Sequence, residues 1–182
     1  MKMESRNLSM LFDFYEVTMS NGYFKKNMQD TICYFDLFFR SVPDGGGFAI
    51  AAGLEQIIDY IQELRFEPED IEYLRSRNLF SDGFLQYLAD FRFTGDICAV
   101  PEGTPMFPNE PIITVRAPAI EAQLIETYLL LCVNHQSLIA TKASRVATAA
   151  EGDVVMEFGL RRAQGPDAGL YGARAAMIAG CK

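Results

Sequence analysis

The segment Val154–Ile178 constrains the fold more than any other part of the chain. A short apolar run, Val154–Phe158, leads into a turn that holds two adjacent arginines, Arg161 and Arg162, between Gly159 and Gly165; an alanine-rich stretch follows. This order predicts a β-strand, a glycine loop and a helix in direct succession. Arginine presents a planar, permanently charged fork that meets carboxylate or phosphate oxygens two at a time. A pair of them in a loop after a strand suits a small anionic substrate.

Upstream, Leu8, Leu11, Phe12, Tyr15, Met19 and Tyr23 recur at helical spacing, which predicts an amphipathic first helix ending near Gly22, with Asp13, Glu16 and Ser20 on its other faces. Ile32–Phe39 alternates as a strand, broken by Pro43-Asp44-Gly45-Gly46-Gly47. Leu54, Ile57, Ile58, Ile61 and Leu64 mark a second helix. Pro68-Glu69-Asp70 opens a short third one, and Ser81 caps a fourth whose apolar face is Phe84, Leu85, Leu88 and Phe91. Prolines 101, 105, 108 and 111 punctuate Phe93–Val115, as in a small antiparallel sheet with tight turns. Ala119–Ala150 is helical again, read as two helices meeting near Asn134; alanines in the second allow a neighbour to approach closely. The resulting division is an α+β domain over residues 1–118, a helical connection over 119–150, and a strand–loop–helix over 151–182.

The chain has 182 residues, enough for one well-cored domain, or for one domain and the start of another. With 49% hydrophobic and 22% charged residues it has the composition of a folded globular protein. Its 14 phenylalanines and 8 tyrosines predict an aromatic-rich core. The net charge of −8 argues against general nucleic-acid binding, which needs a basic surface to displace counterions. Cys33, Cys98, Cys132 and Cys181 are scattered and, with the lone His135, offer no zinc-ligand spacing. Reduced, mostly buried thiols in a cytoplasmic protein are the expectation. Met1–Met10 lacks the apolar core of a signal peptide, and the most apolar helical run, Leu124–Val133, is too short for a bilayer and contains Glu126. Met3, Met10 and Met19 need no role beyond packing.

Four ordered blocks resemble nicotinate phosphoribosyltransferases. Leu11–Met19 is similar to the family's N-terminal L-x-D-x-Y-x-x-T-M signature. Phe38-Phe39-Arg40, Gly45–Gly47 and Gly53-Leu54 resemble its F-x-R…GG…A-G-L stretch. Gln136–Arg145 and, best of all, Glu157–Asp167 match two further blocks. The resemblance implies an N-terminal α+β domain followed by an irregular, TIM-like α/β barrel that this chain only begins. It implies an active site shared between two subunits of a homodimer. The reaction it implies joins nicotinate to phosphoribosyl pyrophosphate, coupled to ATP hydrolysis through a phosphorylated histidine and requiring Mg2+. That histidine lies in a G-T-x-x-H-type segment expected beyond Lys182, so a truncated enzyme is the expectation and the chain alone is expected to be inactive. Two alternatives stand beside it: a non-catalytic product serving as a dimerisation or partial binding module, and an enzyme of the same superfamily for nicotinamide or quinolinate.

Each site residue carries a plainer reading too. Arg161 and Arg162 are either surface ion-pair partners or, as the resemblance implies, ligands of the nicotinate carboxylate or a substrate phosphate. Tyr15 matches the family tyrosine that stacks on the pyridine ring from the neighbouring subunit, yet it also falls on the apolar face of its helix. Asp13 shares that motif, and an acid there is otherwise simply solvated. Arg40 follows a strand and reaches substrate phosphates or pairs in a salt bridge. Glu157, opposite Met156 and Phe158, lines a barrel interior or pairs with an arginine. Lys142 and Arg145 read as a solvated or ion-paired helix face, and His135 as a helix-junction residue.

Overall fold

The computed structural model describes residues 6–182. Met1–Ser5 lie outside the described residues, and with them the packing role of Met3 and part of the Met1–Met10 stretch. Two compact units are each assembled from discontinuous stretches. The first takes residues up to Phe35, Ile58–Ile97 and Val115–Tyr128; the second takes Asp36–Ile57, Cys98–Thr114 and Leu129–Lys182. The divisions drawn at residues 118 and 150 follow chain order and do not coincide with these units.

In the first unit, helix α1 spans Phe14–Lys25, starting later and ending later than its periodicity predicted. The start is late because Asp70 captures the preceding segment: its Oδ2 accepts from Asn7 Nδ2 at 2.6 Å and from Ser9 Oγ at 2.9 Å. Gly22 is carried within the helix, which stops only where Asn27 turns left-handed at φ 54°. The larger correction concerns the faces. Glu16, Val17, Ser20 and Asn21 point inward, while Leu11, Tyr15 and Met19 are exposed. A polar stripe therefore lies inside, and counting apolar side chains selects the wrong side.

Two later helices of this unit form where local signals put them. α3, Pro68–Ser76, begins with proline in its first turn, and the Glu67 amide donates to Asp70 Oδ2 at 2.9 Å. α4, Asp82–Ala89, is capped by Ser81, whose Oγ accepts from the Phe84 amide at 3.3 Å. Phe84, Leu85, Leu88 and Phe91 are buried as predicted. Phe24 and Tyr87 pack around Phe84 with ring centroids 5.6–6.4 Å apart, giving the aromatic core that the composition foretold.

Strands β1 (Ile32–Leu37), β3 (Asp96–Ala99) and β5 (Ile113–Pro118) form a sheet in the order β1-β5-β3. The Ile112 amide bonds to Leu37 O and the Ala119 amide to Thr31 O, so β5 runs antiparallel to β1. Short strands β2 (Ala49–Ile50) and β4 (Pro105–Met106) pair antiparallel in the second unit. Helix α2, Leu54–Glu63, forms where its apolar spacing predicts it. α5, Ala119–Leu124, and α6, Glu126–Ala149, part at Ile125, where the sequence reading placed the junction near Asn134. Asn134 is only mildly unfavourable inside a helix, and no glycine or proline accompanies it, so α6 runs through it uninterrupted.

The alanine stripe of α6 does admit a close neighbour. Ala140 packs with Ala175, and Ala143 with Ala176, both from α7, Pro166–Ile178. On the same helix, Thr141 Oγ1 accepts from the Ile50 amide at 2.9 Å and Ser137 Oγ from the Ala52 amide at 3.0 Å. These hydroxyls serve β2 where a neighbouring strand would otherwise serve it. Gly53 completes the junction at φ 109°, with any Cβ placed 2.6 Å from the Cys132 carbonyl oxygen.

The predicted strand Val154–Phe158 is the second correction. The segment forms no strand among the described residues, and Phe158 is 78% exposed. A strand needs a paired neighbour, and the backbone bond recorded here is from the Lys182 amide to Val155 O at 2.8 Å. The architecture is mixed α/β, with no closed barrel among the described residues. No described helix is long and apolar enough to cross a membrane.

Candidate functional site

The Glu157–Gln164 segment, α6 and the first turns of α7 enclose a cleft of about 230 Å³ in the second unit. Leu160–Arg162 forms a single 3-10 turn, closed by the Arg162 amide on Gly159 O at 2.8 Å. Successive residues of such a turn point about 120° apart, so the arginine pair divides: Arg162 lines the cleft and Arg161 does not. Both are exposed, and among the described residues neither forms an ion pair. Glu157 lines the same cleft, its carboxylate accepting from the Gly159 amide.

Gly165, at φ 106°, turns the chain so that Pro166 takes the first position of α7. Ala168 and Gly169, at the start of α7, line the cleft beside Arg162. Gly169 gives the room: a Cβ there would sit 2.5 Å from Leu160 Cδ1. His135 lies in the middle of α6, so its expected place at a helix junction is corrected. Its Nε2–H donates to the Ala168 carbonyl at 3.2 Å across the cleft. One guanidinium, one carboxylate and one imidazole thus line a space wide enough for a one-ring carboxylic acid.

Arg40, also in the second unit, is exposed just after β1 and forms no ion pair among the described residues. Lys142 and Arg145 are ion-paired as read from sequence, both to Asp44 Oδ2, at 3.8 Å and 3.4 Å.

Tyr15 and Asp13 belong to the first unit. Asp13 is the extended residue before α1, and its amide donates to Thr127 Oγ1 at 3.3 Å. The Tyr15 hydroxyl donates to Glu126 Oε1 at 3.1 Å, and the residue is 46% exposed. Partial burial, and then the Glu126 carboxylate, push the phenol up to about 12. Glu16, next in sequence, is fully buried: Thr127 Oγ1 donates to its Oε1, and Oε2 has no hydrogen-bond partner among the described residues. Burial, with Glu126 adding repulsion, drives its carboxyl up to about 7 despite the Thr127 bond.

Sequence reasoning missed two groups. One is the Glu126–Thr127 corner, for which a signal existed: a lone acid inside the most apolar helical run. The other is Arg174, whose NH1 donates to Glu102 Oε1 at 2.9 Å and to Gln136 Oε1 at 3.0 Å, with Nε donating to Glu55 Oε2 at 2.8 Å. Glu102 also accepts from the Gly53 and Leu54 amides, at 2.6 and 3.0 Å, capping α2. Burial works against its charge, but Arg174 and those amides hold its carboxyl below the ordinary range. No periodicity or motif marks Glu102. The described residues contain no group of three or more His, Cys, Asp or Glu able to hold a metal ion.

Comparison with known proteins gives a consistent result. The family model "nicotinate phosphoribosyltransferase (NAPRTase) N-terminal domain" matches residues 10–134. The chain is 46% identical to nicotinate phosphoribosyltransferase pncB2 of Mycobacterium tuberculosis over 94% of its own length and 37% of the relative's. It is 43% identical to the nicotinate phosphoribosyltransferase of Bacillus subtilis, over 96% of this chain and 36% of that one. The crystal structure of human nicotinic acid phosphoribosyltransferase superposes with a TM-score of 0.87 at 36% identity, over 93% of this chain and 35% of the human one. The chain therefore spans little more than a third of the relatives it matches.

Proposed function

Because this chain belongs to the nicotinate phosphoribosyltransferase family, we propose that the protein carrying it joins nicotinate to phosphoribosyl pyrophosphate, yielding nicotinate mononucleotide and pyrophosphate. The observation that carries this reading is Arg162, a guanidinium without an ion-pair partner among the described residues, set in a cleft at the start of α7. Such a site takes a carboxylate or phosphate bidentately and loses little in ordering to do so.

In the reaction, the pyridine nitrogen attacks the anomeric carbon while pyrophosphate leaves, and positive charge develops on the sugar ring as in glycoside cleavage. The work of this chain is orientation. Arg162 fixes the acid group and His135 ties the start of α7 to α6. Glu157 offers a carboxylate that accepts substrate hydroxyls, and Arg161 and Arg40 supply charge toward phosphates. Tyr15 gives a flat face for the heterocycle, contributed across a homodimer interface, with Asp13 fixing its approach. Val154–Phe158 is the opening segment of a barrel in this reading. ATP and Mg2+ would supply coupling energy and phosphate neutralisation. The described residues offer no carboxylate cluster suited to the metal. The free cysteines support a reducing, cytoplasmic setting.

The test is turnover by the full-length protein with nicotinate, nicotinamide and quinolinate in parallel. Preference for nicotinate, with Arg162→Ala raising its KM at least tenfold, is expected. Preference for another acceptor moves the protein within its superfamily, and no turnover with any leaves the binding-module reading.

A further inference from the structure

Glu126 and Thr127 open α6 directly after the break at Ile125. Three contacts run from this corner to one turn of α1. Thr127 Oγ1 accepts from the Asp13 amide and donates to the Glu16 carboxyl, and Glu126 Oε1 accepts from the Tyr15 hydroxyl. Glu126 is itself aimed, because buried Gln123 on α5 donates through Nε2 to its other oxygen at 2.9 Å. Thr18 Oγ1 bonds the Tyr15 carbonyl at 3.0 Å. Asp13, Glu16, the Tyr15 main chain and its phenol tip are all restrained, while Tyr15 itself stays partly open to solvent.

We propose that Glu126 is a positioning residue that holds the Tyr15 ring ready to receive a flat heteroaromatic acid. The proposal rests on Tyr15 being the stacking residue. An exposed tyrosine otherwise samples several side-chain wells, and fixing one before the ligand arrives removes that ordering cost from binding. A phenol–carboxylate bond is charge-assisted and directional enough to do this. Glu126 acts through Tyr15 and needs no contact with substrate.

The experiment measures steady-state kinetics of the full-length protein with Glu126→Ala, Glu126→Gln, Tyr15→Phe, Tyr15→Ala and the Tyr15→Phe/Glu126→Ala double variant. Glu126→Ala is expected to raise KM for nicotinate about fivefold, the size of one partly exposed hydrogen bond. Its kcat and its KM for phosphoribosyl pyrophosphate should stay within twofold. Glu126→Gln keeps an acceptor oxygen and is expected to restore most of the loss. In the Tyr15→Phe background the cost of Glu126→Ala should vanish, because the hydroxyl it served is gone. An equal cost in both backgrounds, or a loss spread over both substrates, overturns the positioning role. If Tyr15→Ala raises the nicotinate KM but Glu126→Ala does not, only the positioning role fails. If Tyr15→Ala leaves that KM unchanged, the stacking role fails and the positioning role with it.

Discussion

Replacing Glu16 with glutamine should stabilise the protein, and only above the acid range. Glu16 is fully buried with one oxygen lacking a partner among the described residues, and of these the groups facing it are Asp13, Tyr15, Thr127 and Glu126, none of them cationic. Its carboxyl is pushed from 4.5 to about 7. In the unfolded chain the proton leaves at the lower value, while in the folded chain it stays until the higher one. The folded state thus binds more protons between these limits, and stability falls as pH rises through the window. At about 1.4 kcal/mol per tenfold change in proton affinity, the full loss above pH 7 is about 3 kcal/mol. Glutamine cannot ionise and keeps the oxygen that accepts from Thr127. Glu16→Gln should therefore melt only slightly above the parent near pH 5 and roughly 5–10 °C higher near pH 8, on the scaling for chains of this size. Thermal melts at intervals from pH 5 to 8 read the difference directly, and other titrating groups cancel in it. A difference independent of pH, or a Glu16→Gln protein less stable at pH 8, would refute the assignment of a buried acid that ionises at a cost.

Three further outcomes can be checked. Gly53→Ala should cost about 3 kcal/mol in urea denaturation, because a left-handed backbone and the Cys132 carbonyl both oppose a Cβ. Glu102→Gln should cost about 2 kcal/mol at neutral pH by weakening the Arg174 pair and the α2 cap, discounted for partial exposure of both partners. Since Glu102 titrates below its ordinary value, its contribution is present at neutral pH and is lost as pH falls through that depressed value; the deficit should shrink under acid melts. A thiol reagent monitored by peptide mass should label exposed Cys98 first and leave Cys132 and Cys181 unmodified until denaturant is added.

What could be read from sequence was what a few neighbouring residues decide. Ser81 and Pro68 announce helix starts because capping involves three or four consecutive residues, and the alanine stripe announces close packing because it has no side chains to prevent it. The inner face of α1 was not legible. Its polar side chains go inside because Thr127, more than a hundred residues away, meets Glu16 there. Val154–Phe158 has strand composition but no strand partner among the described residues, and composition records the capacity for burial, not the arrival of a neighbour. At the site, the arginine loop was visible as a cluster of unusual residues, but its splitting into one arginine that lines the cleft and one that does not follows from a 3-10 turn that no residue type encodes. Arg174 and Glu102 meet across 72 positions with no shared pattern.

The bonds from Thr141 and Ser137 to the amides of Ile50 and Ala52 make those two protons informative in deuterium exchange. In an ordinary sheet their protection would report strand separation. Here they open when α6 lifts from β2, so their exchange clock times the undocking of the helix that bears His135 and forms one wall of the cleft. Two amides give a spectroscopist a direct view of how long that wall stays in place.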